Sequence, residues 1–316
     1  MEIKTVGVAG LGFLGRGIAA CFLAYGFNVI GFTRRPETHV QARRYISIAI
    51  QDLIVRAGFS EQLGTEWRDR YREVTALDDL AGCDFVVESV VEDTAVKQQV
   101  FDQLEAILPV HIPIASNTSS FPVTLLQRGR RHPERFLGMH WAEPAHATRF
   151  LELIRGEQTA DAPFNAVAEL AIRLGKDPSL VQKDVPAFIA NRLAYAMYRE
   201  AAYLLEMKVG DVETIDRSFR NSVGLWATIC GPLRWIDLTG GPASYGKALE
   251  GVLPSLNSAT ELSPIFQNFI EREAGGTTDG AKFYQYGEGE ARRWEELLRE
   301  HAWVVRDLMS RYFPQR

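Results

Sequence analysis

Cysteine is scarce in this chain. Its three thiols, Cys21, Cys83 and Cys230, are spread over 316 residues, and no two form a C-x-x-C pair. This excludes a disulfide framework and a cysteine zinc site, so no metal is expected, and a sparse odd set of thiols fits a reducing compartment. Long apolar runs are missing too: no stretch approaches the roughly 18–20 residues that span a bilayer. Excess positive charge is also absent. Lys and Arg number 35 against 40 Asp and Glu, a net charge of −5, whereas a nucleic-acid surface is usually strongly basic. Neither a membrane nor a nucleic acid is therefore an expected partner. The first residues lead straight into a strand pattern, with no cationic region, apolar stretch or cleavage site. No signal peptide is expected, and the default location is cytoplasmic.

The rest of the composition, 46% hydrophobic and 24% charged, is that of an ordinary globular protein. A chain of 316 residues exceeds the roughly 250–300 at which one core stops growing, so two domains are expected. The most informative motif lies at the start. An apolar strand pattern over residues 5–9 runs into Gly10-x-Gly12-x-x-Gly15. A helix pattern over 16–25 and a second strand over 27–32 follow. Gly10 permits a tight turn, Gly12 lets the backbone approach a pyrophosphate, and Gly15 lets the helix pack on the strand. The helix N-terminus offers free N–H groups and partial positive charge to phosphates. The strand–turn–helix–strand context is the one a dinucleotide-binding motif requires.

A further absence bears on the cofactor. An NAD-preferring site usually ends the second strand in Asp or Glu, which accepts hydrogen bonds from the ribose 2′-OH. Here Thr33 is followed by Arg34 and Arg35. A hydroxyl and guanidinium groups suit a 2′-phosphate, which a carboxylate would repel. NADP(H) is the expected preference, with NAD(H) as the second option. Arg34 and Arg35 also read simply as solvated loop charges.

The first half alternates strands and helices, as a doubly wound parallel sheet does. Helical regions are expected over 39–57, 94–108, 122–127 and 163–174. Further strands are expected at Val74 and over 85–90, 113–116, 136–140, 150–154 and 178–181. From Pro186 the period becomes helical. A helix over 188–206 carries apolar residues on most faces, which calls for burial against another subunit. Helices over 212–220, 233–238, 264–273 and 289–312 complete the chain. The expectation is an α/β fold, with a Rossmann domain over residues 1–183 and an all-α substrate and dimerisation domain over 184–316.

Ligands of open parallel sheets bind beyond the carboxyl ends of the strands. Ser116-Asn117-Thr118-Ser119-Ser120 and His140 both end strands there. The hydroxyl run also reads as a cap for the next helix, and His140 as a satisfied core residue. Glu152, inside Phe-Leu-Glu-Leu-Ile, needs a partner if it faces inward, because an unpaired buried charge is costly. A histidine would serve. Asn191 and Arg192 open the long second-domain helix and are placed to close the cleft.

At these residues the chain resembles the L-3-hydroxyacyl-CoA dehydrogenase family, including its branch acting on free hydroxy acids. The resemblance runs through the glycine turn, Glu88-Ser89-Val90-Val91-Glu92 with Lys97 and Phe101, and Ser116 to Ser120. It continues in Gly138-Met139-His140, Leu151-Glu152, Asp184 to Arg192, Gly231-Pro232 and Phe283-Tyr284. It implies reversible hydride transfer between cofactor and a 3-hydroxy or 3-oxo substrate, in fatty acid metabolism. His140 would be the general base or acid, and Glu152 would orient it. Ser119 and Asn191 would hydrogen-bond the reacting oxygen. Glu92 and Lys97 would contact the nicotinamide half of the cofactor, although Lys97 also reads as a solvated helix charge. Gly10, Gly12, Phe13, Leu14, Gly15 and Asn117 complete the implied cofactor set. A homodimer is expected.

Two departures from the family pattern stand out, one near the substrate and one at a cofactor contact. The family has Asn-Pro shortly after the histidine, where this chain has Trp141-Ala142-Glu143-Pro144. Ionised Glu only accepts hydrogen bonds, so Glu143 reads either as a contact to a donor-rich or cationic substrate group or as a partner of an arginine such as Arg149. The family's C-terminal Lys-Thr-Gly-x-Gly-Phe-Tyr becomes Thr278-Asp279-Gly280-Ala281-Lys282-Phe283-Tyr284, which loses or displaces a cofactor-contacting lysine. Gly224-Leu225-Trp226-Ala227 looks more like the free hydroxy-acid branch, while Arg43, Arg44 and Arg56 stand where acyl-CoA enzymes carry basic residues. Three readings follow: a 3-hydroxyacyl-CoA dehydrogenase, a dehydrogenase of a small free 3-hydroxy acid, or a catalytically silent cofactor-binding protein.

Overall fold

The computed structural model describes residues 2–274 and 282–314. They form two compact units. One comprises residues 1–191 with 301–316, and the other residues 192–300. The sequence pattern alone puts one boundary after residue 183. By compactness, the first unit runs to Asn191 and resumes at His301.

The first unit runs β1 (Thr5–Ala9), α1 (Phe13–Ala24), β2 (Asn28–Phe32), α2 (Pro36–Ala57), α3 (Leu63–Glu66), β3 (Tyr71–Val74), β4 (Phe85–Glu88) and α4 (Thr94–Ile107). It continues with β5 (Ile114–Ser116), α5 (Val123–Gln127), β6 (Phe136–His140), β7 (Phe150–Ile154), α6 (Asp161–Arg173) and β8 (Asp177–Val181). The eight strands form one sheet in the order β3-β2-β1-β4-β5-β6-β7-β8. Helices cover both faces, so the central strands are buried throughout; every residue of β4 is buried. The chain reverses direction across the sheet between β3 and β4, leaving a crevice above β1 and β4. This is where such sheets bind ligands.

One pairing departs from an all-parallel sheet: β6 and β7 run antiparallel. The cause is the length of the connection. Residues 141–149 join the two strands, and a parallel crossover needs a dozen or more residues. Helix α1 starts at Phe13, three residues before the expected start, because Gly12 takes the N-cap position. Gly10 sits at φ +113°, where a Cβ would lie 2.4 Å from the Ser89 carbonyl oxygen. A Cβ on Gly15 would lie 1.9 Å from the Gly10 carbonyl oxygen. The close approaches inferred from the motif are therefore present.

The second unit holds most of α7 (Ala190–Glu206), then α8 (Val212–Asn221), α9 (Val223–Ala227), α10 (Pro232–Thr239), α11 (Gly241–Val252), α12 (Pro264–Glu271) and the first half of α13 (Glu290–Tyr312). Gly231-Pro232 caps and starts α10. Gly240, the N-cap of α11, and Gly241, its first residue, are both at positive φ, so the pattern there reads as a loop although a helix starts at once. Phe283 packs edge-on against Phe269, and the Tyr284 hydroxyl donates to Asp216 at 2.7 Å. Residues 278–281 of the altered C-terminal motif lie outside the described residues; Lys282 lies within them, over the Tyr286 ring. Among the described residues of this unit, only Ala202 is buried. The burial expected for the long helix α7 is thus not supplied within one chain.

Candidate active site

The antiparallel pairing builds the centre of the site. It sets His140, the last residue of β6, directly opposite Glu152 of β7. The imidazole Nδ1 lies 2.8 Å from Glu152 Oε2. His140 is 6% exposed and Glu152 1%. The second carboxylate oxygen accepts the main-chain N–H groups of Ile189 and Ala190 at 3.2 and 2.9 Å. Ala187 and Phe188 precede them at φ of 64° and 52°, a left-handed turn that costs a non-glycine residue energy. That turn aims the two N–H groups at Glu152 and lays the Phe188 ring 5.8 Å from the imidazole. Phe150 stands edge-on at 5.5 Å. The imidazole is thereby clamped by rings, with Nδ1 committed to the carboxylate.

Asn191, next in sequence, donates its side-chain amide to the Ser119 carbonyl at 3.1 Å. The Ser119 loop is itself gathered on Glu92. This carboxylate accepts the Thr118 hydroxyl at 2.6 Å, the Ser119 and Ser120 N–H groups at 3.0 and 3.2 Å, and the Ser120 hydroxyl at 3.0 Å. Lys97 lies 3.2 Å from Glu92 and 2.8 Å from Glu88, and is 0% exposed. It is therefore not a solvated helix charge. Glu88 also accepts the Ser116 hydroxyl and the Val90 N–H. Asn117 donates to Ser89 at 3.1 Å and accepts the Trp141 N–H at 3.0 Å. His140 and Glu152 are thus joined directly, and Ser119 and Asn191 are joined directly. The turn through Ala190 links the two pairs.

The charges follow from these contacts. Burial alone would push the Glu152 carboxyl up. The His140 hydrogen bond, the Ala190 and Ile189 N–H groups and the imidazole charge outweigh it and hold the carboxyl below the ordinary carboxylate value. Glu92 is likewise pushed up by burial but held low by Thr118, Lys97 and the Ser119 N–H. Both therefore stay ionised acceptors at neutral pH.

Phe13 is exposed and Leu14 half-buried at the start of α1, beside Gly12. Thr33 follows β2, and its hydroxyl accepts the Arg35 N–H at 3.4 Å. Arg34 lines a 370 Å³ cavity with Phe32, Leu77, Asp78, Val90 and Val96, while Arg35 is exposed outside it. The suggested Glu143–Arg149 pair does not form. Arg149 donates to Asp177 and to the Phe313 carbonyl, and Glu143 accepts the Tyr45 hydroxyl. Burial and the Glu143 charge push the Tyr45 phenol up, keeping it a donor. Arg43 pairs with Glu73.

Sequence reasoning missed what fastens the 141–149 loop. Lys176, fully buried, donates to the Ala145 and Thr148 carbonyls. Arg306 of α13 donates to the His146 carbonyl at 2.9 Å. Trp303 packs on Leu53 and Ala147. The helix over 289–312 was visible, but its target on the loop after His140 was not, because that contact spans some 160 residues of sequence.

The low Glu152 pKa has a consequence for stability. The ionised form stabilises the fold fully above the ordinary carboxylate pKa, and the contribution is lost as pH falls through the depressed folded value. Between about pH 5 and about pH 3, Glu152→Gln should lose less thermal stability than the wild type, although it starts lower at neutral pH. Parallel acid limbs in thermal melts would contradict this.

Comparison with known proteins shows the family. Residues 5–185 match the NAD-binding domain of 3-hydroxyacyl-CoA dehydrogenase, and residues 188–286 match its C-terminal domain. A 5-formyl-3-hydroxy-2-methylpyridine 4-carboxylate 5-dehydrogenase of Mesorhizobium japonicum is 33% identical over 287 residues, covering 90% of this chain and 91% of that protein. A 3-hydroxybutyryl-CoA dehydrogenase of Bradyrhizobium diazoefficiens is 37% identical over 238 residues, covering 75% and 80%. A crystal structure of the pyridine-carboxylate 5-dehydrogenase, described as an NAD+-dependent dismutase, superposes with a TM-score of 0.91 at 28% identity, covering 98% of this chain and 99% of that one. This chain belongs to the 3-hydroxyacyl-CoA dehydrogenase family and is an oxidoreductase, a dehydrogenase acting on a CH–OH group.

Proposed function

We propose that the protein catalyses reversible hydride transfer between a nicotinamide dinucleotide and a 3-hydroxy or 3-oxo substrate, with His140 as general base and acid. The observation that carries this reading is the 2.8 Å contact between His140 Nδ1 and Glu152. It leaves Nε2 as the nitrogen able to exchange a proton with substrate. In oxidation, Nε2 takes the hydroxyl proton, and Glu152 stabilises the imidazolium that forms; in reduction, the proton returns. Ser119 and Asn191 hold the reacting oxygen, and the Ser119 loop stays in place through Glu92 and Lys97, which border the nicotinamide side. The glycine cradle fits a dinucleotide, since a Cβ on Gly12 would meet nothing within 4 Å. When bound, the cofactor supplies or accepts the hydride.

NAD(H) is the cofactor of the matched domain and of the structural neighbour. Preference for NADP(H) is supported by Thr33 and Arg34 just after β2, where an NAD-preferring site usually carries Asp or Glu. For the substrate, the near full-length likeness to a pyridine-carboxylate dehydrogenase favours a small free acid as an alternative to an acyl-CoA thioester. A homodimer is supported by the exposed apolar residues of α7, among them Leu193, Tyr195, Met197 and Tyr198. A location in the cytoplasm accords with this chemistry.

Turnover of acetoacetyl-CoA and small hydroxy acids, each with NAD(H) and NADP(H), tests the reaction. His140→Asn should lower kcat by roughly 100-fold or more while still binding NADH, and an unchanged kcat would refute the acid–base role. Arg34→Ala with Arg35→Ala should raise the KM for NADPH and spare that for NADH; equal effects on both cofactors would remove the NADP(H) preference. Light scattering should give twice the 35.4 kDa chain mass, and a monomer would defeat the dimer.

A further inference from the structure

Arg16 follows the last glycine of the turn, and its N–H donates to the Gly12 carbonyl at 3.3 Å. Helical side chains tilt toward the helix N-terminus, and this one does. Its guanidinium carbon lies 5.4 Å from the Phe13 ring centre, one turn back. The Tyr45 ring of α2 holds it from another side at 4.5 Å. Two aromatic rings thus hold a planar cation beside the glycine turn.

This cation has no anion within the described protein. Its guanidinium makes no hydrogen bond or ion pair there, and Nε is buried without a partner. Glu143 shares Tyr45 with it but takes the phenol O–H instead. Other cations of the same unit, Lys97, Arg130, Arg149 and Arg155, each meet a carboxylate. Leaving a part-buried guanidinium unsatisfied is costly. A ligand that brings an anion would remove that cost, and there is room for one. The space above Gly12, one turn back along the helix, is open. The free N–H groups of the same turn add partial positive charge.

We propose that Arg16 binds an anionic oxygen group, a phosphate or carboxylate, at the mouth of the glycine turn. A guanidinium can grip either through two parallel hydrogen bonds. Two ligands carry this chemistry: the dinucleotide, through its phosphates, and a substrate bearing a carboxylate. The tilt of the side chain toward the first turn of α1 favours the phosphates. The proposal rests on the dinucleotide reading above.

Two variants separate charge from packing. Arg16→Met keeps the stem against Phe13 and Tyr45 but removes the charge, and Arg16→Lys keeps the charge. NADH is titrated by its nicotinamide fluorescence, and acetoacetate by calorimetry onto the NAD+-loaded protein. Arg16→Met should weaken NADH about tenfold or more, Arg16→Lys should recover most of it, and added salt should narrow the gap. Weakening of acetoacetate alone would support the proposal with the substrate as the source. Unchanged affinity for every probe the wild type binds would overturn it. So would equal losses in both variants accompanied by a lower Tm, because that pattern marks packing. A wild type that binds neither NADH nor NADPH would defeat the dinucleotide reading itself, and the proposal with it.

Discussion

The site depends on the compensation of one buried carboxylate. Glu152 lies inside the sheet, where an ionised group without partners would cost several kcal/mol. It is compensated by the imidazole of His140 on one oxygen and by two main-chain N–H groups on the other. Each partner imposes a constraint. The imidazole must sit across an antiparallel pair, which needs the short 141–149 connection. The N–H groups need the left-handed turn at Ala187 and Phe188, and that turn delivers Asn191 to the Ser119 loop. Satisfying one charge therefore orients the His140 imidazole and places the residues around it.

A second buried ionic group supports the opposite wall. Lys97 with Glu88 and Glu92 is a fully enclosed cation between two carboxylates. The buried Lys97–Glu88 pair is a weak source of net stability, but losing either of its two members would leave a buried charge unpaired. The trio's product here is geometry, since Glu92 gathers four donors from residues 118–120 and so shapes the loop that carries Ser119. The loop after His140 is fixed by different means, through carbonyls bound to Lys176 and Arg306 and through the buried Trp303. Both walls are thus held by charges on main-chain or carboxylate oxygens, interactions with the directionality that apolar packing lacks.

The sequence reported parts of this arrangement unevenly. The glycine turn was legible because its function lies in local backbone geometry, and Gly10 and Gly15 make the close approaches that the motif implies. The strand and helix patterns of the first unit were legible because burial on two faces leaves apolar runs. His140 and Glu152 could be paired from one argument, that an inward carboxylate needs a donor. The true partner of Glu143 was not legible. Tyr45 is 98 residues away and carries no mark in the sequence that distinguishes it from any other helical tyrosine. The same holds for Arg306 and for α11, whose Gly-Gly-Pro start looks like a loop.

By itself the sequence determined the class of the protein: a dinucleotide turn on a doubly wound sheet, a helical second half, and a histidine and a carboxylate at the sheet rim. These are properties of period, spacing and residue chemistry, which survive without knowledge of distant contacts. The tertiary structure decided which groups are spent on each other. It engaged Lys97 with two glutamates, gave Glu143 to Tyr45 and Arg149 to Asp177, and left Arg16 beside the glycine turn without an anion. Charge pairing is settled by distances of a few ångströms between residues far apart in the chain, and only the fold sets those distances.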